Sequence, residues 1–186
     1  MSNIYLPKDV NHEFTTIKSH AMVEKRDDRY EDYVNQLKAK GLKPEEYFPK
    51  AEKGIKPFEV IHGDYNAMVD TGINLALLLI CGGGTSYISA NAYLGVGSSS
   101  TAWATTQTSL ITPLGRAAMQ SGTYPQVGTK IQTFKSDFTG SGGDGSWQEW
   151  AIFNNVSTGT MLQRKVENLG TKSGGTWTLT VTFGLV

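Results

Sequence analysis

The chain has 186 residues, a formal net charge of zero and a single cysteine, Cys81. A neutral chain lacks the basic field that nucleic-acid binding needs, and one thiol excludes both an internal disulfide and a cysteine-based zinc site. The first residues do not form a basic stretch followed by an apolar run, so no secretory signal is predicted. The apolar run at residues 75–81 is far shorter than the roughly 20 residues of a membrane-spanning helix. We therefore expect neither nucleic acid nor a membrane as partner.

Charge and glycine are unevenly distributed along the chain. Residues 1–60 hold 11 of the 17 Lys and Arg, 11 of the 17 Asp and Glu, and only two of the 21 glycines. Such a change in composition indicates an organisational boundary, which we place near Pro57. The prediction is an N-terminal arm at residues 1–57 and a turn-rich β domain at residues 58–186.

The predicted arm is partly extended and partly helical. Residues 1–26 show no sustained period and are expected to be extended. A helix is predicted over about residues 28–40, because Asp27 or Asp28 can cap its start and Gly41 can end it. Its apolar face is formed by Tyr30, Tyr33, Val34 and Leu37. One such helix is not stable alone in water, so this face needs the β domain or another subunit. The prolines that follow indicate a linker with one helical turn at residues 45–48.

Short strands and turn signals alternate beyond the boundary. The expected elements are a strand at 58–61, a buried helix from Asp70 or Thr71 to Ile80, a strand at 92–97, one or two helical turns within 102–110, and strands at 130–138, 147–153, 159–166 and 176–183. In the last strand, four apolar residues alternate perfectly with four threonines, as in a half-buried antiparallel strand. The predicted fold is mainly β, an antiparallel β-sandwich or open barrel with one or two short helices, preceded by the arm.

Motifs for catalysis and cofactor binding are absent from the sequence. The run at residues 82–84 lacks the Lys-Ser/Thr that follows a phosphate-binding loop. The three histidines have no metal-ligand spacing, and there is no Gly-x-Ser-x-Gly nucleophile motif. The six carboxylates of residues 61–186 form no local pair of the glycosidase kind. We therefore predict no catalytic residue, no cofactor, no metal and no enzymatic activity.

Glu149 is the strongest candidate for a binding site, because it lies between Trp147 and Trp150. An aromatic platform beside a carboxylate could bind a sugar. The alternative, which we favour, is an ordinary strand with Trp150 and Ile152 on one face and Trp147, Glu149 and Phe153 on the other.

Five passages, ordered along the chain, resemble a family of small structural proteins of tailed bacteriophage virions. They are NAYLGVGSSST at 91–101, TTQTSL at 105–110, GSWQEWAIFN at 145–154, GTMLQR at 159–164 and GTKS at 170–173, followed by the alternating strand. The resemblance covers residues 58–186 and offers no counterpart for the arm. It implies a β domain that assembles on the particle, and it carries no catalytic residues.

The resemblance implies a virion protein made in the cytoplasm of a bacterial host. The preferred role is a homotrimeric capsid decoration (cement) protein that binds the major capsid protein or another virion protein. The alternative is an adaptor or receptor-binding protein of the tail, neck or fibre base, and a third hypothesis is a virion-associated glycan hydrolase. In the first two roles the expected partner contacts are arm residues, namely Ile4, Tyr5, Leu6, Phe14, Tyr30, Tyr33 and Leu37.

Overall fold

The computed structural model describes residues 17–63, 68–120, 123–128 and 130–185. These residues form nine strands and three helices. The strands are β1 (Ile17–Arg26), β2 (Glu59–His62), β3 (Tyr93–Gly97), β4 (Pro113–Ala118), β5 (Gln126–Val127), β6 (Ile131–Phe138), β7 (Gly145–Phe153), β8 (Met161–Lys172) and β9 (Thr176–Leu185). The helices are α1 (Arg29–Ala39), α2 (Pro44–Gly54) and α3 (Asp70–Ile80). The predicted mainly β fold is confirmed.

Two antiparallel sheets face each other around the main core. One has the order β2-β1-β9-β6-β5, and the other has the order β4-β3-β7-β8. Three aromatic rings lie at the centre of the core, where Trp147 contacts Phe138 and Trp177 edge to face, with both pairs of centroids 4.9 Å apart. The alternation in β9 is confirmed on its inner face, where Trp177, Leu179 and Val181 are all buried.

The predicted arm differs from the structure, because residues 17–26 form β1. This strand lies between β2 and β9 and pairs with β9 from Ile17 opposite Leu185 to Arg26 opposite Thr176. The division near residue 57 is therefore corrected, since part of the arm is a strand of the β domain. The pattern was faint because small side chains occupy the inner face of β1: Ser19, Ala21 and Val23.

Helices α1 and α2 form a hairpin with a core of its own. Helix α1 confirms the helix predicted at about 28–40, and Gly41 adopts φ +76° just beyond its end. Helix α2 replaces the predicted linker and single turn. Pro44 occupies its first turn, where an N–H is not needed, while Pro49 lacks the N–H for one intrahelical hydrogen bond. Packing offsets that loss, and the buried residues of the hairpin are Tyr30, Val34, Leu37, Tyr47, Phe48 and Ala51.

A polar network joins this hairpin to the outer face of the five-stranded sheet. Lys135 Nζ donates to Glu52 of α2 over 2.6 Å. On β9, Thr178 Oγ1 accepts from Arg26 over 3.0 Å and donates to Asp137 over 2.7 Å. The threonine face of β9 was expected to face solvent, but Thr178 is fully buried. This expectation is corrected because the sequence does not show that the hairpin covers the outer face.

Asp137 makes this network sensitive to pH. Burial raises its pKa above the ordinary 3.8, and hydrogen bonds from Thr178 and Gln120 offset that rise only in part. A carboxyl whose pKa is raised by folding binds its proton more tightly in the folded state. Stability is therefore lost as pH rises from about 4 through the raised pKa. In urea melts at pH 4 to 7, we expect Asp137→Asn to lose less stability than the unmodified chain over this interval.

Asp27→Asn provides the matched control for this effect. The side chain of Asp27 is 45% exposed, and its hydrogen bond with Arg29 lowers its pKa, so this carboxyl adds no loss of stability as pH rises above about 4. The two variants should therefore have different pH profiles. Identical profiles would show that Asp137 does not carry the effect.

Candidate functional site

Helix α3 is held close to β8 by its first turn. Val69 N and Thr71 Oγ1 donate to the carbonyl oxygens of Leu162 and Met161, in each case over 3.2 Å. A Cβ atom on Gly72 would overlap the carbonyl of Leu162, so glycine is what lets helix and strand approach this closely. The start of α3 is thereby fixed beside one end of the sandwich.

The remainder of α3 presents an exposed apolar surface. The sequence predicts a buried helix, yet its buried residues are only Gly72 and Leu75. Ile73, Leu77 and Ile80 follow one another at i, i+4 and i+7, and Leu77 and Ile80 are 58% and 82% exposed. The prediction of burial is corrected because a helix that is apolar on all sides does not reveal which sides the fold covers.

A groove of about 740 Å³ lies between α3 and the end of the five-stranded sheet. Large apolar side chains dominate its lining, among them Ile73, Leu77, Ile80, Ile88, Ile131 and Phe183. Tyr87 also lines the groove, and its hydroxyl donates to the carbonyl of Thr160 over 3.0 Å. Burial raises the pKa of Tyr87 above its ordinary value. The exposed helix face and this groove are together called the α3 surface. Its chemistry suits the burial of apolar side chains from a polypeptide.

The sugar-site hypothesis for Glu149 does not fit the structure. Glu149 and Arg164 have fully buried side chains, and Arg164 Nε donates to Glu149 over 2.6 Å. The other carboxylate oxygen accepts from the backbone N–H of Thr112 over 2.8 Å. Trp147 and Trp150 are also fully buried and offer no platform to a ligand. The Glu149–Arg164 pair therefore has a structural role in the interior.

This ion pair organises the loop between β3 and β4. Arg164 donates through Nη2 to the carbonyl of Thr101 over 3.0 Å, and through Nη1 to Gln107 Oε1 over 2.9 Å. Residues 102–110 are irregular, so the helical turns predicted there are wrong. The side chain of Gln107 accepts from Ala104 N and donates to the carbonyl of Ala102, and the carbonyl of Thr105 accepts from Asp70 N of α3. These contacts use backbone groups that a helical turn would otherwise pair.

A bulge changes the predicted faces of β7. The pairing register between β7 and β8 shifts between Trp147 and Glu149. At this point one unpaired residue of β7, Gln148, stands opposite three unpaired residues of β8, at 167–169, and the regular alternation of side chains is interrupted. Trp147 consequently shares the main core with Trp150 and Ile152, and is not on the face of Glu149 and Phe153 as predicted.

Comparisons with protein-family models, with curated proteins and with solved structures find no match. Across the described ranges 17–63, 68–120, 123–128 and 130–185, no helix is long and apolar enough to cross a membrane. The same residues contain no group of three or more histidine, cysteine or carboxylate side chains that could hold a metal ion. The α3 surface therefore remains the main candidate for function.

The predicted contact residues do not coincide with the α3 surface. Ile4, Tyr5, Leu6 and Phe14 lie outside the described residues. Tyr30 and Leu37 are only 1% and 5% exposed, because they pack within the α1–α2 hairpin, and Tyr33 is half-buried beside them. Tyr30 and Leu37 are thus part of a core and not free for a partner. The one sequence signal for the α3 surface was its uninterrupted apolar run, which was interpreted as burial.

Proposed function

We propose that this chain is a bacteriophage virion structural protein, and specifically a capsid decoration protein that attaches to the particle through the α3 surface. The observation that carries the proposal is the exposure of Leu77, Leu78 and Ile80 beside an apolar groove. Contiguous apolar surface of this kind is costly to leave in water and marks a contact with another macromolecule.

Two further features support a role in assembly. The chain is neutral overall, so subunits can crowd on a lattice without strong mutual repulsion. The buried carboxylate Glu149 is satisfied by donors from its own chain, which suits a structural role for the strongest sequence candidate. The resemblance of residues 58–186 to phage structural proteins points the same way. In this proposal the protein is a homotrimer on the capsid surface, and it is made in the cytoplasm of a bacterial host.

The number of copies per particle tests the proposal. Quantitative mass spectrometry of purified virions should find on the order of hundreds of copies, as expected for a protein that follows the symmetry of the capsid lattice. About a dozen copies or fewer would replace the proposal with the tail, neck or fibre-base role, whose assemblies have low symmetry. Absence from virions would refute both. Negative-stain images of labelled protein on particles would give the location directly.

Leu77→Asp is expected to weaken attachment without unfolding the protein. The side chain is already exposed, so the change should alter the free energy of unfolding by only about 0.5 kcal/mol. A charge on the apolar surface should weaken binding to particles that lack the protein by about tenfold or more, or at least about 1.4 kcal/mol. Co-sedimentation with such particles measures the affinity.

Phe58→Asp is the matched control, because Phe58 is 69% exposed but does not line the groove. It introduces the same charge at another exposed apolar side chain and should leave binding intact. Equal binding by the two variants would contradict attachment through the α3 surface.

A further inference from the structure

A second cavity, of about 620 Å³, lies between the α1–α2 hairpin and the sandwich. Its lining comes from helices α1 and α2, from β4 with the two residues after it, and from the end of β6 with the turn that follows. The apolar part of this lining is formed mainly by Val34, Phe48, Leu114, Met119 and Phe138. Both sheets and the hairpin therefore meet at a cavity whose size and mixed lining suit a small molecule.

Two of the lining residues carry a buried polar atom that has no hydrogen-bond partner within the described part of the chain. These atoms are the hydroxyl of Tyr30 and Oε1 of Gln120, whose residues are only 1% and 3% exposed. Gln120 Nε2 donates to both carboxylate oxygens of Asp137, over 3.1 and 3.0 Å, so Oε1 is turned away with its lone pairs free. A buried acceptor without a donor is costly, and a donor from outside the chain would remove that cost.

Two carboxylates, of Asp137 and Glu31, belong to residues that line the same cavity. Burial and, next, the charge of Asp137 raise the pKa of Tyr30, because the phenol hydroxyl lies close to this carboxylate. Burial also raises the pKa of Asp137, and the neighbouring cation that lowers it, Lys135, is paired with Glu52. The buried carboxylate of Asp137 therefore lacks a cation of its own.

The two basic residues of the lining direct their charges elsewhere. Lys38 Nζ lies 5.3 Å from the centroid of the Tyr47 ring. The guanidinium carbon of Arg116 lies 3.4 Å from the centroid of the Phe153 ring, and Nη1 donates to the carbonyl of Asn155 over 3.0 Å. None of these three partners lines the cavity. A ligand consequently meets acceptors and negative charge beside an apolar wall, which favours a cation and repels an anion.

We propose that this cavity binds a small organic cation, in which a primary ammonium or guanidinium group is attached to an apolar body. The charged group donates to Gln120 Oε1 and to the carboxylate of Asp137, and the Tyr30 hydroxyl accepts a further N–H. Glu31, which is partly exposed, adds electrostatic attraction. The inference does not rest on the virion role or on the α3 surface.

Three compounds with the same benzyl body test the need for charge. Benzylamine and benzylguanidine carry the two cationic groups, and benzyl alcohol is their uncharged match. In chemical-shift titrations of the isotope-labelled full chain near neutral pH, we expect saturable shifts around Gln120 and Asp137 with at least one cation. Benzyl alcohol should bind at least about tenfold more weakly. The bound cation should also raise Tm, since it binds only the folded chain.

Equal affinities of the cations and the alcohol would overturn the proposal, because the cavity would then select only the apolar body. Absence of saturation by both cations below about 10 mM would also overturn it and leave the cavity to water.

Tyr30→Phe separates a binding role from a structural one. The change removes an unpaired buried hydroxyl, so the free chain should be at least as stable as before, while the cation should bind about tenfold more weakly. Tyr33→Phe removes the same group from the same helix at a position outside the cavity. This control should bind the cation unchanged.

Glu31→Gln removes one charge from a partly exposed position and should weaken binding of the cation by about two- to fivefold. Glu45→Gln, exposed on α2 and outside the cavity, is its control. If neither Tyr30→Phe nor Glu31→Gln bound the cation more weakly than its control, the assigned site would be wrong.

Discussion

A chain that lacks residues 1–56 is expected not to fold. The deletion removes β1, which pairs with β9 at all ten of its positions and lies between β9 and β2. It also removes Ala21 and Val23 from the main core. With a net contribution of about 1 kcal/mol per hydrogen bond, the lost ladder alone approaches the typical total stability of about 5–15 kcal/mol. Circular dichroism and urea unfolding of the truncated protein should show no cooperative transition.

Deletion of residues 1–16 alone is the control for this experiment. It leaves every described strand intact, so the near-UV spectrum and a single unfolding transition should be retained. The distribution of charge, which suggested a separate arm, predicts instead that residues 57–186 form a soluble domain. A monomeric, cooperatively unfolding fragment 57–186 would show that the second sheet does not need β1.

Arg164→Met is expected to cost about 3–5 kcal/mol of unfolding free energy, because it leaves the carboxylate of Glu149 buried without its cation. Both side chains are fully buried and joined over 2.6 Å, and the arginine also ties down the loop at Thr101 and Gln107. Urea unfolding followed by tryptophan fluorescence measures the loss.

Arg29→Met is the matched control for the buried pair. Arg29 also forms a salt bridge over 2.6 Å, to Asp27, but its side chain is 77% exposed. Exposed pairs contribute about 0–1 kcal/mol, so this variant should be nearly as stable as the unmodified chain. Adding Glu149→Gln to Arg164→Met should recover part of the loss, since the uncompensated charge disappears. Equal costs for the two arginine variants would refute the assigned role of the ion pair.

The three helices differ in how well local sequence patterns predict them. Helix α1 was predictable because its apolar spacing and Gly41 are local signals. Helix α2 was not, because its prolines argue against a helix and only packing against α1 stabilises it. The bounds of helix α3 were predictable, but the prediction that it is buried was wrong. Residues distant in sequence decide which of its sides are covered.

The α3 surface, too, could be predicted only in part from local sequence patterns. Its helical part was visible as an apolar run at 75–81, whereas Ile88, Ile131 and Phe183 lie far away in sequence. Nothing local distinguishes an apolar side chain that packs inside from one that faces solvent. Glu149 illustrates the opposite case, because its aromatic neighbours suggested an exposed platform. The irregular pairing of β7 with β8 and the cation supplied by Arg164 accompany the burial of Glu149, Trp147 and Trp150 in the interior.

By itself the sequence determined the mainly β class, strand β9 and helix α1, because period-two and period-3.6 patterns depend only on neighbours along the chain. Tertiary structure alone decided that β1 completes the sheet, that Glu149 and Arg164 meet in the core, and that α3 remains exposed. These three features depend on contacts between residues far apart in sequence, where the free energy of burial is set by what the whole fold brings together.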